Sequence, residues 1–320
     1  MNPDLTEITV VGDDDTGLLA EITSLLFERD INIEDLDQAV KDGLFRMTMH
    51  VDISRMSCSK TDLREALTDR CGELGMDVTV RFPSESDTRS IAVLATKESH
   101  CLEALLDECT AAEFPGTIDV VIGNHPDLKP VARRNDIPFH DVGDENGSPD
   151  ECELLDRLEE YGTDLVVLAR YMRILSPEVV FRYRNRIINV HPSLLPAFPG
   201  ASAYMQAIEE GVRIAGVTAH YVTPDLDQGP IITQRAFNVP DDATEEDLQA
   251  LGQPLEADAL VEAVRLHVTD NLITGRGRTH FRDESDANPG LPQEIDDLSP
   301  SHPVDESISG DCESKSTADD

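Results

Sequence analysis

The stretch RIINVHPSLLPAFPG occupies residues 186–200. Its opening, 186–190, is a short apolar run interrupted by Asn189, and it reads as a buried strand. The run stops at His191; Pro192 and Pro196 stiffen the loop after it, and Pro199-Gly200 turns that loop. Similar apolar runs recur at 90–95, 119–122 and 165–169, with helical periodicity between them. Strands alternating with helices predict a mostly parallel α/β sheet covered by helices on both faces. In such a sheet, ligands bind outside the carboxyl ends of the strands, where Asn189 and His191 fall. Farther on, 216–222 and 230–237 read as a later strand pair. Residues 244–273 read as a long helical stretch, interrupted near Gly252 and Pro254.

Upstream the pattern changes. Residues 8–12 (ITVVG) are strand-like, and 17–29 carry Leu18, Leu19, Ile22, Leu25 and Leu26 at helical spacing. Residues 31–40 and 44–53 alternate as two strands about an Asp42-Gly43 hairpin turn. Thr61 is placed to cap a helix over 63–74, and 76–82 closes as a strand. The order β-α-β-β-α-β is ferredoxin-like. The expected organisation is therefore a first domain at 1–84, a linker at 85–89, a second domain at 90–280 and a tail at 281–320. The tail carries 12 acids against two bases with few large apolar residues, a composition that predicts disorder.

The chain has 320 residues, with 64 Asp plus Glu against 26 Lys plus Arg, for a formal net charge of −38. That charge argues against binding to nucleic acid or anionic membranes, since both would repel it. At 39% hydrophobic, the chain can still build a core. The start, MNPDLTEITV, has neither a positive n-region nor an apolar h-region, and no apolar run approaches the ~18 residues of a membrane span. The expectation is a cytoplasmic protein. Lysine is scarce at five residues, and Asp outnumbers Glu by 37 to 27. Self-repulsion on this scale is tolerable in molar salt, where the Debye length falls to ~3 Å, so a salt-accumulating halophile is the expected source. The six cysteines show no CxxC spacing and read as small buried hydrophobes in a reducing compartment.

Three polar residues carry the chemistry. Asn189 and His191 follow the buried strand, and Asp227 lies in HYVTPDLDQGPII (220–232). An Asn amide can donate to a developing oxyanion. A His can donate as imidazolium or shuttle a proton, and an Asp can orient it or take the nucleophile's proton. On spacing alone, a structural histidine and ordinary Asp turn chemistry are the commoner explanations of the same residues.

Longer motifs add weight. From about 90 to 275, through YMRILSP (171–177), IINVHPSLLPAF (187–198) and TAHYVTPDLDQGPIITQ (218–234), the chain resembles the formyltetrahydrofolate-using transferase and hydrolase family. The resemblance implies a Rossmann-like formyltransferase domain with Asn189, His191 and Asp227 as its catalytic trio. It implies that Met172, Arg173, Ile174 and Leu175 line the folate pocket. The substrate implied is 10-formyltetrahydrofolate, with no tightly bound cofactor and no metal. Residues 1–84 resemble an ACT domain, with Asp14, Gly17, Leu18 and Asn32 as its implied ligand loop. Gly17 offers backbone freedom at a helix N-terminus where amides could meet a carboxylate. Such domains imply an amino-acid effector, glycine or methionine, and a homo-oligomer.

An ACT domain ahead of a formyl-folate domain is the layout of the hydrolytic, deformylase branch, which makes formate for purine biosynthesis. The transferase branch acts on a phosphate-bearing amine, glycinamide ribonucleotide, and holds the phosphate on a Gly-rich loop. Here the corresponding stretch, 96–101 (TKESHC), has no glycine, and Glu98 would repel phosphate. That favours water as the acceptor. Val190-His191-Pro192-Ser193 looks like the transferases, whereas Tyr204 and 218–222 lean toward the deformylases. A third alternative is an amino-acid-sensing ACT module with an inactive second domain. The arginines at 170, 173, 182, 184 and 186 mark the least acidic stretch and are candidates to offset the glutamate tail of folate.

Overall fold

The computed structural model describes residues 5–82, 88–110, 114–275 and 277–282. Residues 85–87 of the expected linker and 283–320 of the expected tail lie outside them.

The first half runs β1 (Thr6–Asp13), α1 (Leu18–Phe27), β2 (Asn32–Lys41), β3 (Leu44–Asp52), α2 (Lys60–Glu73) and β4 (Met76–Arg81). It forms an antiparallel sheet in the order β2-β3-β1-β4. The hairpin between β2 and β3 turns at Asp42 and Gly43, with φ of 53° and 82°. Two successive left-handed residues make the turn whose twist suits a two-residue hairpin. The cap of α2 is Ser59 rather than Thr61. Ser59 Oγ accepts from the Asp62 amide and Asp62 accepts from the Ser59 amide, a reciprocal box that Thr61 could not form from inside the first turn.

Strands β1 and β3 are buried on both faces for different reasons. Ile8, Val10, Phe45, Met47, Met49 and Val51 point to the helices and fill one apolar core with Ile22, Leu26, Leu63 and Leu67. The alternate residues Glu7, Thr9, Arg46, Thr48 and His50 face the other way and are mostly polar, a consequence of the two-residue strand period. This polar face meets the second half of the protein: the Arg46 guanidinium lies 5.6 Å from the centre of the Phe181 ring.

The second half runs β5 (Arg89–Ala95), α3 (His100–Cys109), β6 (Gly116–Gly123), α4 (Lys129–Arg134), β7 (Phe139–Asp141), α5 (Glu151–Glu160), β8 (Leu165–Ala169), α6 (Pro177–Arg182), β9 (Ile187–His191), α7 (Ala203–Glu209), β10 (Ile214–Tyr221), β11 (Ile231–Asn238) and α8 (Glu245–Val268). The sheet order is β11-β10-β9-β8-β5-β6-β7. The five strands from β9 to β7 are parallel, and β10 and β11 are antiparallel. Apolar clusters cover both faces, one beneath α3 and α8 and the other beneath α5 and α6.

Helix α8 is unbroken, contrary to the interruption expected near Gly252 and Pro254. Gly252 serves a close approach, since a Cβ there would lie 1.8 Å from the Tyr204 hydroxyl. The helix ends at Val268, and Leu272 and Ile273 are not helical. They belong to β12 (Leu272–Gly275), which pairs with β13 (Arg278–Phe281). Cys71 and Cys101 are buried as expected, but Cys152 is exposed.

The arginine-rich stretch joins the two halves. Arg182 pairs with Asp77, Arg184 with Asp37, and Arg186 with Glu7 at 3.4 Å. These guanidiniums are therefore committed to acids of the first half rather than offered to a folate tail. Burial alone would raise the Glu7 pKa, but the Arg186 charge, the His50 imidazole 3.7 Å away and the Arg81 charge outweigh it and hold the carboxyl at about 2. A depressed carboxylate stabilises the fold above its ordinary value of 4.5 and loses that contribution as pH falls toward 2. Glu7→Gln should therefore cost about 3–5 kcal/mol at neutral pH, because it leaves Arg186 buried and unpaired. Denaturant midpoints from pH 7 to pH 2 check this: the gap between wild type and variant should narrow below pH 4.5.

Candidate active site

Asn189 and His191 stand at the carboxyl end of β9, inside the sheet between β10 and β8. Asp227 comes from the turn between β10 and β11. Gly229 lets that turn fold back, since a Cβ there would sit 1.7 Å from the Tyr221 carbonyl oxygen. Asp227 itself adopts a left-handed backbone, φ 53°. The loop after β9 is tied down by Thr218. Its hydroxyl donates to the Ser193 carbonyl (2.7 Å) and accepts from the Leu195 amide (3.0 Å).

These elements bring the three residues together. Asp227 Oδ2 lies 3.5 Å from His191 Nδ1 and accepts from the Gly200 amide at 2.8 Å. His191 Nε2 donates to the Phe198 carbonyl at 2.8 Å, which leaves Nδ1 facing the carboxylate. The side chains of His191 and Asp227 are 6% and 7% exposed, so this pair works in a low dielectric.

A fourth residue belongs here. His220 pairs across the β9–β10 ladder with Asn189 and lies 3.7 Å from Asp227 Oδ1. Its Nδ1–H donates to the Tyr221 carbonyl at 2.9 Å, and Nε2 accepts from Asn189 Nδ2 at 3.3 Å. Burial pushes its pKa below the ordinary value, consistent with this neutral form. In the sequence His220 reads as a structural histidine; only the strand order, with β10 antiparallel to β9, places it opposite Asn189.

The 171–175 loop follows β8, the strand next to β9. Met172 and Ile174 are 54% and 73% exposed, while Leu175 is buried in the core. Arg173 donates to the carbonyls of Gly147 (2.7 Å) and Asn146 (2.8 Å) and so fastens the neighbouring turn. The apolar pair Met172 and Ile174 is left to meet a ligand.

In the first half, Asp14 and Gly17 are exposed at one end of the sheet, with Gly17 at φ 90° and Leu18 buried behind it. Asn32 lies at the opposite end: it pairs with Asp52, whereas Asp13 pairs with Leu44. At ~3.3 Å per residue the two ends stand about 25 Å apart. The structure therefore does not gather the four ligand-loop candidates within one chain. Strand β2 instead reaches the turn that carries Asp227, where Lys41 Nζ donates to the Pro224 carbonyl (3.0 Å) and to Asp225 (2.6 Å).

Both halves have known counterparts. Residues 89–264 match the formyl transferase family and residues 7–81 match the ACT domain family. The formyltetrahydrofolate deformylase of Bacillus subtilis is 36% identical over 87% of this chain and 94% of its own length. That of Escherichia coli K12 is 39% identical over 83% and 94%. The chain belongs to the formyltetrahydrofolate deformylase family. A deformylase structure from Pseudomonas syringae, 30% identical, superposes with a TM-score of 0.59 over 87% of this chain and 94% of that one. A glycinamide ribonucleotide transformylase from Symbiobacterium toebii, 37% identical, reaches the same TM-score over 62% of this chain and 96% of its own. The deformylases span both halves of the chain, and the transformylase spans one. Among the described residues, no helix is long and apolar enough to cross a membrane.

Proposed function

We propose that this protein hydrolyses 10-formyltetrahydrofolate to formate and tetrahydrofolate, the formate serving purine biosynthesis. The observation that carries the reading is the Asn189–His191–Asp227 cluster at the carboxyl end of β9, in a chain whose deformylase relatives align over both halves. Water adds to the formyl carbon and gives a proton to Asp227, directly or through His191. Asn189 donates to the oxyanion with the amide hydrogen that His220 does not take, and His191 as imidazolium supports it. The intermediate collapses by breaking the bond from carbon to N10, which takes up the proton. The folate ring system lies against Met172 and Ile174. No tightly bound cofactor or metal takes part. Purified protein given 10-formyltetrahydrofolate without any amine should release one formate per tetrahydrofolate; turnover only with an added amine acceptor would overturn the reading.

The ACT half is the regulatory domain, spanning 1–84, with the catalytic domain at 90–280. Its ligand is glycine or methionine, whose carboxylate meets the amides at Gly17. Asn32 joins that site from a second copy of the chain, so the protein is a homo-oligomer. Calorimetry with either amino acid tests this, and the absence of heat counts against it.

The surface charge fits a cytoplasmic protein of a halophile. Its melting temperature should rise by tens of degrees between 0.1 M and 3 M KCl as repulsion is screened; full stability at low salt would remove the halophile assignment.

A further inference from the structure

Just beyond the carboxyl ends of β5 and β8 lies an ionic cluster that the hydrolytic chemistry does not use. Glu98, in the turn from β5 to α3, takes two hydrogen bonds from Arg170, at 3.1 Å from Nε and 3.0 Å from the terminal nitrogen. Glu256 of α8, 1% exposed, sits against the first turn of α3. It accepts from the Tyr204 hydroxyl at 2.7 Å, lies 3.1 Å from His100 Nε2 and stands 3.5 Å from Arg170 Nε. His100 Nδ1 is also 3.8 Å from Glu98. Tyr204 and the opening of α3 thus close over two carboxylates that share one guanidinium.

The position matters more than the pairing. Arg170 lies two residues past the Leu168–Asn189 pair and is therefore level with His191 on the neighbouring strand. Glu98 is one strand farther, in the turn that follows β5. At ~4.8 Å per strand, the cluster lies about 10 Å from His191 along the crevice. A helix opening at the carboxyl edge of an α/β sheet is the place where such folds accept anions, through free amides and the helix dipole. The Ser99 side chain does not cap α3, so its opening amides are not taken by that group. In this protein an internal anion, Glu256, is brought beside that place by a second helix, where it meets His100 of the first turn of α3 and Arg170. His100, Cys101 and Glu256 could bring ligand atoms near one cation, but burial holds the Cys101 thiol far above its ordinary pKa and Glu256 is already committed.

We propose that Glu98 and Glu256, locked by Arg170, are specificity-determining residues that close the α3 end of the crevice to phosphate-bearing acceptors and leave water as the acceptor. This rests on the hydrolytic reading of the same site and adds the reason for it. An incoming phosphate would meet the Glu256 and Glu98 charges beside the helix opening, and could reach Arg170 only by breaking its two-point bond to Glu98. Removing the Glu98 charge leaves that guanidinium paired with Glu256 alone and opens its Glu98 side to an external anion.

The test uses the full chain and inorganic phosphate, with KCl at matched ionic strength as the reference. Wild type should show the same melting temperature in both, and its hydrolysis of 10-formyltetrahydrofolate should ignore phosphate. Glu98→Gln, altered at a group one third exposed, should melt higher in phosphate than in KCl. Its hydrolysis should become at least tenfold more sensitive to phosphate. Glu256→Gln keeps the size of the buried side chain and should shift the same way. If both variants stay as indifferent as wild type, or if wild type is itself stabilised by phosphate, the proposal is wrong. The melting measurement needs no turnover, so it reads this inference even if the hydrolytic assignment fails.

Discussion

Asn189→Ala should lower kcat for formate release by about 10²–10³, with KM changed little. Losing one preorganised oxyanion donor costs about 2.7–4 kcal/mol of transition-state stabilisation. The amide is well placed for the role: His220 fixes one end, its own Nδ1–H being held by the Tyr221 carbonyl. Asn189 is only half-buried, so truncation should leave the melting temperature nearly unchanged. Near-full hydrolysis by a folded Asn189→Ala would refute the assignment. His220→Ala should show a smaller loss, because it acts on the orientation of the amide rather than on the oxyanion.

Asp227→Asn should cost more, about 10²–10⁴ in kcat, since it removes the proton acceptor and the negative partner of His191 together. An asparagine oxygen can still accept from the Gly200 amide, so the turn should keep its shape. The diagnostic is the split between kcat and KM. A fall confined to kcat assigns Asp227 to the chemical step, whereas a loss carried mainly by KM would assign it to positioning.

The legible parts of the fold are those with local causes. The run at 165–169 becomes β8 without adjustment because a continuous apolar segment buried on both faces has one reading. Strand β6 begins at Gly116 rather than 119: pairing with β5 extends it past the apolar run, and Gly116 sits where a Cβ would meet Ile91 and Phe114. At the site, Asn189, His191 and Asp227 are visible because each stands beside turn chemistry. His220 is not, since its importance depends on which strand lies next to β9. The arginines mislead for the same reason. Their partners Glu7, Asp37 and Asp77 lie more than 100 positions away, and nothing local distinguishes a bridging guanidinium from a ligand-binding one.

Those bridges bear on how the protein can be dissected. Arg186 directly precedes β9, so one short peptide both holds the amino-terminal half and opens the strand that presents Asn189 and His191. Truncation before residue 89 would leave Arg184 and Arg186 without their acids, leave Arg182 with Glu178 alone, and strip the cover from Phe181. The expected product is an insoluble fragment rather than an unregulated enzyme. Chimeras that exchange sensory modules at this junction would have to carry Glu7, Asp37 and Asp77 with them, and calorimetry of the intact chain should record one cooperative endotherm instead of two.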